Sequence, residues 1–316
     1  MDRNHAIDTF RGLAIIGMVF FTVTLRLSNN LPELLRHNVR GSLHLGDFVL
    51  PMFLFASGLS LAYFLKKREK EEQKPFFRDV VNRFVKLALV GISLSFFSAN
   101  GFFEMDEVML SALLFIACIA LYILDWKIIL GVIFFINLSY ILLMQLDLLS
   151  IFMGHYLGGY PAALYYLPVM LTGLILGKGI VSKGLWCKSN KIIISVIFSF
   201  LIFFWIFIPI NKMSASPTFI MLSILFSFLI IAVVILIMGN KIFSNELEFI
   251  GRKPLRYWIM MFIIFIIPVR IYDEFSGQVL SFQLPWFISV ITSLGLMIIF
   301  WGTSHLIDYF TIKNKI

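Results

Sequence analysis

An all-α fold, a polytopic bundle of about ten membrane-spanning helices with both termini cytoplasmic, is predicted by three observations. The first is composition: 60% of the 316 residues are hydrophobic, 35 are Phe, 14% are charged, and mean hydropathy is +0.93. Soluble domains are about half apolar and a quarter charged. The second is the recurrence of apolar stretches near the roughly 20 residues that a hydrocarbon core requires. They run over 10–27, 47–65, 80–98, 108–124, 128–146, 162–177, 192–210, 218–238, 255–271 and 285–304. The third is the placement of the basic residues. The net charge of +8 does not mark a nucleic-acid binder, because Lys and Arg alternate from loop to loop as the positive-inside rule demands.

With the N-terminus inside, only Arg26, Arg36, Arg40, Lys212 and Arg270 of the 26 basic residues fall outside. The loops 28–46, 99–107, 147–161, 211–217 and 272–284 are thus expected on one face, and the basic loops 66–79, 178–191 and 239–254 on the other. The first apolar run begins at Arg11 and lacks a small-residue cleavage site, so it is expected to be a retained helix. No soluble domain is expected before or after the spans, and residues 1–316 are expected to form a single transmembrane domain.

Taken in order, the chain opens with Asp8 and Arg11 three residues apart, on one face of the first helix. The outer loop that follows offers Ser28 or Asn30 as a cap and Pro32 near a first turn, predicting a short interfacial helix that delivers His37 at its end. Asp47 then opens the second helix, with Pro51 in its first turn or kinking it, and Gly58 beside Ser57 and Ser60 permits close helix packing. This hairpin, residues 7–65, combines more polar groups with apolar flanks than any other stretch, and polar groups at membrane depth need a reason. The turn at 125–127 is tight, the loop around His155 suits an aromatic interfacial belt, and the stretch 239–254 reads as a basic inner loop.

Cys118 and Cys187 lie at different expected depths, so no disulfide is expected. No internal repeat, CxxC pair, HExxH or phosphate-cradling GxxxxGK[ST] occurs, which leaves zinc hydrolases and P-loop transporters without support and predicts no metal.

Three stretches resemble a known family, the heparan-alpha-glucosaminide N-acetyltransferase-like transmembrane acyltransferases. Asp8-Thr9-Phe10-Arg11-Gly12 is similar to the family's D-x-F-R-G. His37 followed by Asp47-Phe48-Val49-Leu50-Pro51-Met52-Phe53 is similar to its H-x9-D-L-V-F-P-x-F. Pro209-Ile210-Asn211-Lys212 with Ser216, Thr218 and Phe219 is similar to its P-x-N-K and Ser-rich helix entry. The likeness spans about residues 7–220. It implies transfer of an acetyl group from cytosolic acetyl-CoA to a sugar or glycan acceptor on the outer face, with His37 as general base or acetyl-accepting nucleophile. The family's Asn near the end of the first span falls at Thr22 here, and Thr lacks the amide's second donor and its carbonyl acceptor.

On this reading His37, Asp47 and Thr22 are the catalytic candidates, with His44 a second histidine to consider. Arg11, Gly12, Arg252 and Lys253 are candidate contacts for acetyl-CoA, and Asn211 and Lys212 for the acceptor. An imidazole titrates near neutral pH, which suits it to deprotonate an attacking hydroxyl or amine. Each residue also has a plainer reading: Asp47 as a helix cap, Arg11 as the partner of Asp8, Lys212 as a snorkelling side chain. The competing functions are a multi-span transporter or carrier of a glycan or lipid-linked substrate, and a non-catalytic scaffold that keeps the fold. The partners expected are acetyl-CoA, a glycan acceptor and the lipid bilayer, without nucleic acid; a homo-oligomer is compatible with the chain. The short loops, without an Asn-x-Ser/Thr site in any outer loop, point to the cell membrane of a prokaryote.

Overall fold

Helix is the only regular element among the described residues of the computed structural model, which are 5–28, 30–36, 43–70, 76–97, 107–146, 159–212, 214–237, 241–276 and 284–313. The helices are α1 (His5–Leu27), α2 (Val49–Lys70), α3 (Phe76–Phe97), α4 (Glu107–Leu121), α5 (Trp126–Gln145), α6 (Gly159–Lys183), α7 (Lys188–Phe207) and α8 (Pro217–Ile237). They continue as α9 (Lys241–Gly251), α10 (Pro254–Met261), a π-helical turn (Phe262–Ile266), α11 (Ile267–Ser276) and α12 (Trp286–Lys313). Among the described residues, 8 helical segments are long and apolar enough to cross a membrane, which makes the chain an all-α polytopic bundle.

The two remaining expected spans are helical but differ in kind. Residues 80–97 of the first fall in α3, whose first turns carry Arg78, Asp79, Arg83 and Lys86. The stretch 108–124 becomes α4, whose 15 residues rise ~22 Å, short of the ~30 Å hydrocarbon core. The inner loop expected at 239–254 is corrected by the structure: Lys241–Gly251 is α9, an amphipathic helix too short to span. The loops expected at 66–79 and 178–191 are largely helix ends, since α2 runs to Lys70 and α6 to Lys183. The expected interfacial helix before residue 37 is a single 3-10 turn, Glu33–Leu35, and Ser28 caps no helix but accepts from the Asn30 N–H at 3.3 Å.

The chain divides into two compact units. The first is built on Leu50–Leu236. There α6 is the central helix, with Tyr165, Tyr166, Val169, Leu171 and Leu174 buried, and it packs against α4, α5 and α7 while α3 packs on α4. Gly58 on α2 and Gly173 on α6 face the other helix's backbone, Met170 and Phe55 respectively, so closely that a Cβ at either would overlap a carbonyl oxygen. This is the close packing expected at Gly58. On α7, Ile193, Ile197, Leu201 and Phe204 are buried whereas Phe198, Ile202, Trp205 and Ile206 are exposed. A helix apolar on both its packed and its open face belongs in lipid.

The second unit takes α1 from Asp8, the segment His44–Val49, and the chain from Ile237 onward. In it α10 packs on α12 and α9 on α10. Thr24 of α1 and Ser293 of α12, both fully buried, share a hydrogen bond of 2.6 Å, and the Ser293 hydroxyl also reaches the Ser289 carbonyl at 2.8 Å. Small hydroxylated residues let two helices approach and satisfy one another where no water can.

Candidate functional site

The first expected motif is an organised helix start. Arg11 Nη2 donates to Asp8 Oδ1 at 2.6 Å, as the three-residue spacing predicts, and Arg11 Nε donates to the Gly251 carbonyl at the end of α9. Both side chains are largely buried, at 13% and 6% exposure. The guanidinium therefore ties the start of α1 to the end of α9. The tie is possible because the backbones touch: a Cβ on Gly12 would overlap the Leu247 carbonyl, and one on Gly251 would lie 2.7 Å from the Gly12 nitrogen. The open face of Gly12 is filled by a neighbouring helix.

Next to this crossing lies a cavity of about 370 Å³. It is lined by Ile15, Ile16 and Val19 of α1, Ile250 of α9, Tyr257 of α10, and Leu294, Met297, Ile298, Phe300 and Trp301 of α12. The lining is apolar almost throughout. Ile15 is one helical turn beyond Arg11, and Ile250 directly precedes the glycine whose carbonyl Arg11 holds.

Arg252 and Lys253 follow at the α9–α10 junction. Arg252 pairs with Glu248, which is buried, and Lys253 pairs with Asp308 of α12, which also accepts from Arg256 Nη1 at 2.9 Å. Arg256 further holds the Ser304 hydroxyl and carbonyl, each at 3.0 Å. Both candidate cations thus reach the surface from anchored positions, with 41% and 30% of their side chains exposed.

Asp47 is buried, at 1% exposure, in a 3-10 turn (Leu45–Phe48) that leads directly into α2. Its Oδ2 accepts from the His44 backbone N–H at 2.9 Å, while the Asp47 N–H donates to the His44 carbonyl at 3.0 Å. The carboxylate therefore closes the turn that starts the helix, and Pro51 sits in the first turn of α2, where its missing N–H costs nothing. His44 is half-buried beside it. Thr22 is half-buried on α1, two residues before the buried Thr24.

Asn211 and Lys212 belong to the first unit. The Asn211 N–H donates to the Ser216 hydroxyl at 2.9 Å and its Oδ1 accepts from the Ser214 N–H at 3.3 Å. The Lys212 carbonyl accepts from Ala215, whose φ of 48° lies in the left-handed region. The Ser214 hydroxyl meets the Tyr140 hydroxyl at 2.5 Å, and Thr218 donates to the Ile208 carbonyl at 2.8 Å. The third motif is accordingly a self-bonded turn from α7 into α8, and Asn211 with Ser214 and Ser216 is the signal for it.

His37 lies outside the described residues, as do His155 and the turn 99–106. The structure brings Arg11 and Gly12 together with Gly251, beside Arg252 and Lys253. One cluster had no sequence motif. His305 stacks on Phe249 at 4.0 Å and meets Trp301 edge-on at 4.8 Å, and the Trp301 Nε1–H donates to Glu246 at 2.7 Å. The signal was present as a helical spacing, 301 to 305 on α12 and 246 to 249 on α9, once 239–254 is recognised as carrying a helix. Cys118 and Cys187 are both free, as expected, and no cluster with metal-ligating geometry occurs among the described residues.

Comparison with known proteins adds the remaining finding. No curated protein matches the chain. The family described as "Heparan-alpha-glucosaminide N-acetyltransferase, catalytic" matches residues 3–190, which include the first two motifs and stop short of Pro209–Phe219. With more than half of its length so matched, and with the helical bundle that such membrane acetyltransferases require, the chain belongs to the heparan-alpha-glucosaminide N-acetyltransferase catalytic family.

Proposed function

We propose that this protein takes an acetyl group from acetyl-CoA on the cytoplasmic side and delivers it to a sugar or glycan acceptor on the outer face of a cell membrane. Family membership supplies the acyl-transfer chemistry. The structural observation that supports the donor side is the anchored Arg11 at one end of an apolar cavity of about 370 Å³. Arg11, Arg252 and Lys253 present cations to the donor's phosphates, and the apolar lining beyond Arg11 suits its pantetheine arm. Gly12 acts through the helix crossing that fixes Arg11.

His37 performs the transfer. As general base it takes the proton from the acceptor's hydroxyl or amine as that atom attacks the thioester carbon, and the proton leaves with the CoA thiol. As nucleophile its ring nitrogen attacks the thioester carbon, the C–S bond breaks and CoA leaves as the thiol with the imidazole's proton; the acceptor's hydroxyl or amine then attacks the acetyl carbon, the C–N bond to the ring breaks, and the acceptor's proton returns to the imidazole. Asp47 holds the turn at the end of the loop that carries His37. Thr22 takes the place of the family's Asn with one hydroxyl donor, and Asn211 and Lys212 bind the acceptor.

The test is His37→Ala in purified, folded protein. Acetyl transfer should fall by at least ~100-fold, while thermal stabilisation by CoA is retained. Near-normal turnover would refute the assignment. Label retained on the protein after acetyl-CoA alone separates the two routes. On the donor side, CoA affinity left unchanged by neutralising Arg11, Arg252 and Lys253 together would remove them from the site.

A further inference from the structure

The turn from α7 into α8 is also fastened to a third helix, by Tyr140 of α5. Tyr140 is buried, and its hydroxyl meets the Ser214 hydroxyl at 2.5 Å. Tyr165 of the central helix α6, also buried, stands edge-on to the Tyr140 ring at 5.3 Å and 86°, which sets the direction of the phenol. The chain fills apolar space with Phe at 35 positions, and a Phe here would occupy much the same volume without desolvating a hydroxyl. The hydroxyl is therefore accounted for by Ser214 and not by packing. From Ser214 the connection continues, since its N–H donates to Asn211 Oδ1 at 3.3 Å. That bond commits the oxygen end of the Asn211 amide to the turn, and the nitrogen end is the one suited to meet an acceptor's oxygen. The next residue, Ala215, has a φ of 48°, a left-handed conformation that a side chain makes unfavourable, and its N–H donates to the Lys212 carbonyl at 3.0 Å. Such a conformation persists where its surroundings hold it, and Tyr140 grips the residue beside it.

We propose that Tyr140 is a positioning residue of the acceptor site. Through Ser214 it sets the direction of Asn211 and Lys212, and it touches neither donor nor acceptor itself. This role rests on the reading that Asn211 and Lys212 bind the acceptor. The parts involved, Tyr140, Tyr165 and the turn, all lie in the first unit. Loosening the turn weakens acceptor binding in the ground state and the transition state alike, so the effect falls on KM and not on kcat. A residue that merely supports the fold would lower the amount of folded protein and leave the KM of what remains unchanged.

The experiment uses the full chain in a neutral detergent, with saturating acetyl-CoA and glucosamine as the acceptor probe. Tyr140→Phe keeps the ring and its contact with Tyr165 and removes the bond to Ser214. It should raise the KM for glucosamine roughly fivefold, hold kcat within about twofold of wild type and leave thermal stabilisation by CoA unchanged. Ser214→Ala should do the same, and Ser214→Thr, which returns the hydroxyl, should keep a wild-type KM. Tyr140→Phe combined with Ser214→Ala should be no worse than either alone, because both remove one bond. A KM unchanged in Tyr140→Phe, rises that multiply in the double variant, or a loss confined to kcat overturns the proposal. Asn211→Ala combined with Lys212→Gln tests the acceptor reading itself. A KM raised there but unchanged in Tyr140→Phe refutes the role of Tyr140 alone. A KM unchanged there, or no transfer to glucosamine by wild type, refutes the acceptor reading and the role of Tyr140 with it.

Discussion

Replacing Gly251 by Ala tests the crossing that fixes Arg11. The added Cβ would lie 2.7 Å from the Gly12 nitrogen and closer still to the Asp8 carbonyl oxygen. Carbon needs ~3.3 Å or more from a backbone oxygen, and the added Cβ would lie 1.8 Å from that of Asp8, so α1 and α9 must part by roughly 1.5 Å. Neither neighbour is a side chain that can rotate away; both are helical backbone. The expected cost is about 1–3 kcal/mol for overpacking, and the Arg11 bond to the Gly251 carbonyl is strained or lost as well. The assay is thermal unfolding of purified Gly251→Ala, with Gly295→Ala and Gly302→Ala as controls. A Cβ at either control position meets nothing within 4 Å. Those variants should be neutral or stabilised by up to ~1 kcal/mol, because a helical Gly gives way to Ala. If Gly251→Ala melts like its controls, the backbone contact is not the one described, and Arg11 is not positioned by it.

Three further outcomes are expected. Thr24→Val keeps the shape of the side chain but removes the bond to Ser293, and should lower stability by about 0.5–1.5 kcal/mol in thermal unfolding; no change would mean that the buried pair contributes nothing. Asp47→Ala should cost about 1 kcal/mol by releasing the His44 N–H, whereas Asp47→Asn retains an acceptor and most of the stability; equal losses in both would show that the charge, and not the cap, is what matters. A membrane-impermeant maleimide should label Cys187 from the cytoplasmic side only and leave the fully buried Cys118 untouched until unfolding; labelling of Cys187 from outside would reverse the proposed topology.

Features set by local chemistry were legible in the sequence. The Asp8–Arg11 pair needs only helical spacing, Pro51 only its missing N–H, and Asp125 only a short turn, where it now caps α5 by accepting from the Lys127 N–H at 2.8 Å. Helix α9 was hidden because its 11 residues mix Glu246 and Glu248 with Phe249 and Ile250. That pattern is an amphipathic helix, but its short length between basic residues reads equally as loop. The Thr24–Ser293 bond joins residues 269 apart, and no local rule pairs them. The roles of Asp47 and Asn211 were ambiguous in the sequence because a carboxylate or amide that closes a turn and one that meets a substrate look alike until its partners are known.

The π-helical turn at Phe262–Ile266 bears on how this span tolerates changes in length. Tyr257, Met261, Phe265 and Val269 are all buried, so the packed seam advances four residues at a time. In an unbroken α-helix three such steps would carry the seam ~120° around the axis. The wider turn takes up most of that rotation by holding one residue more than an α-turn, which is how a single-residue insertion is absorbed within a helix. Removing one residue from 262–266 would leave Tyr257 and Val269 eleven steps apart, within ~20° of the same face. Length changes inside a span usually turn everything downstream toward the wrong surroundings. Here the span can lose a residue, regain a continuous helix and keep its inward face, so this stretch is the place where the chain can vary in length without being rebuilt.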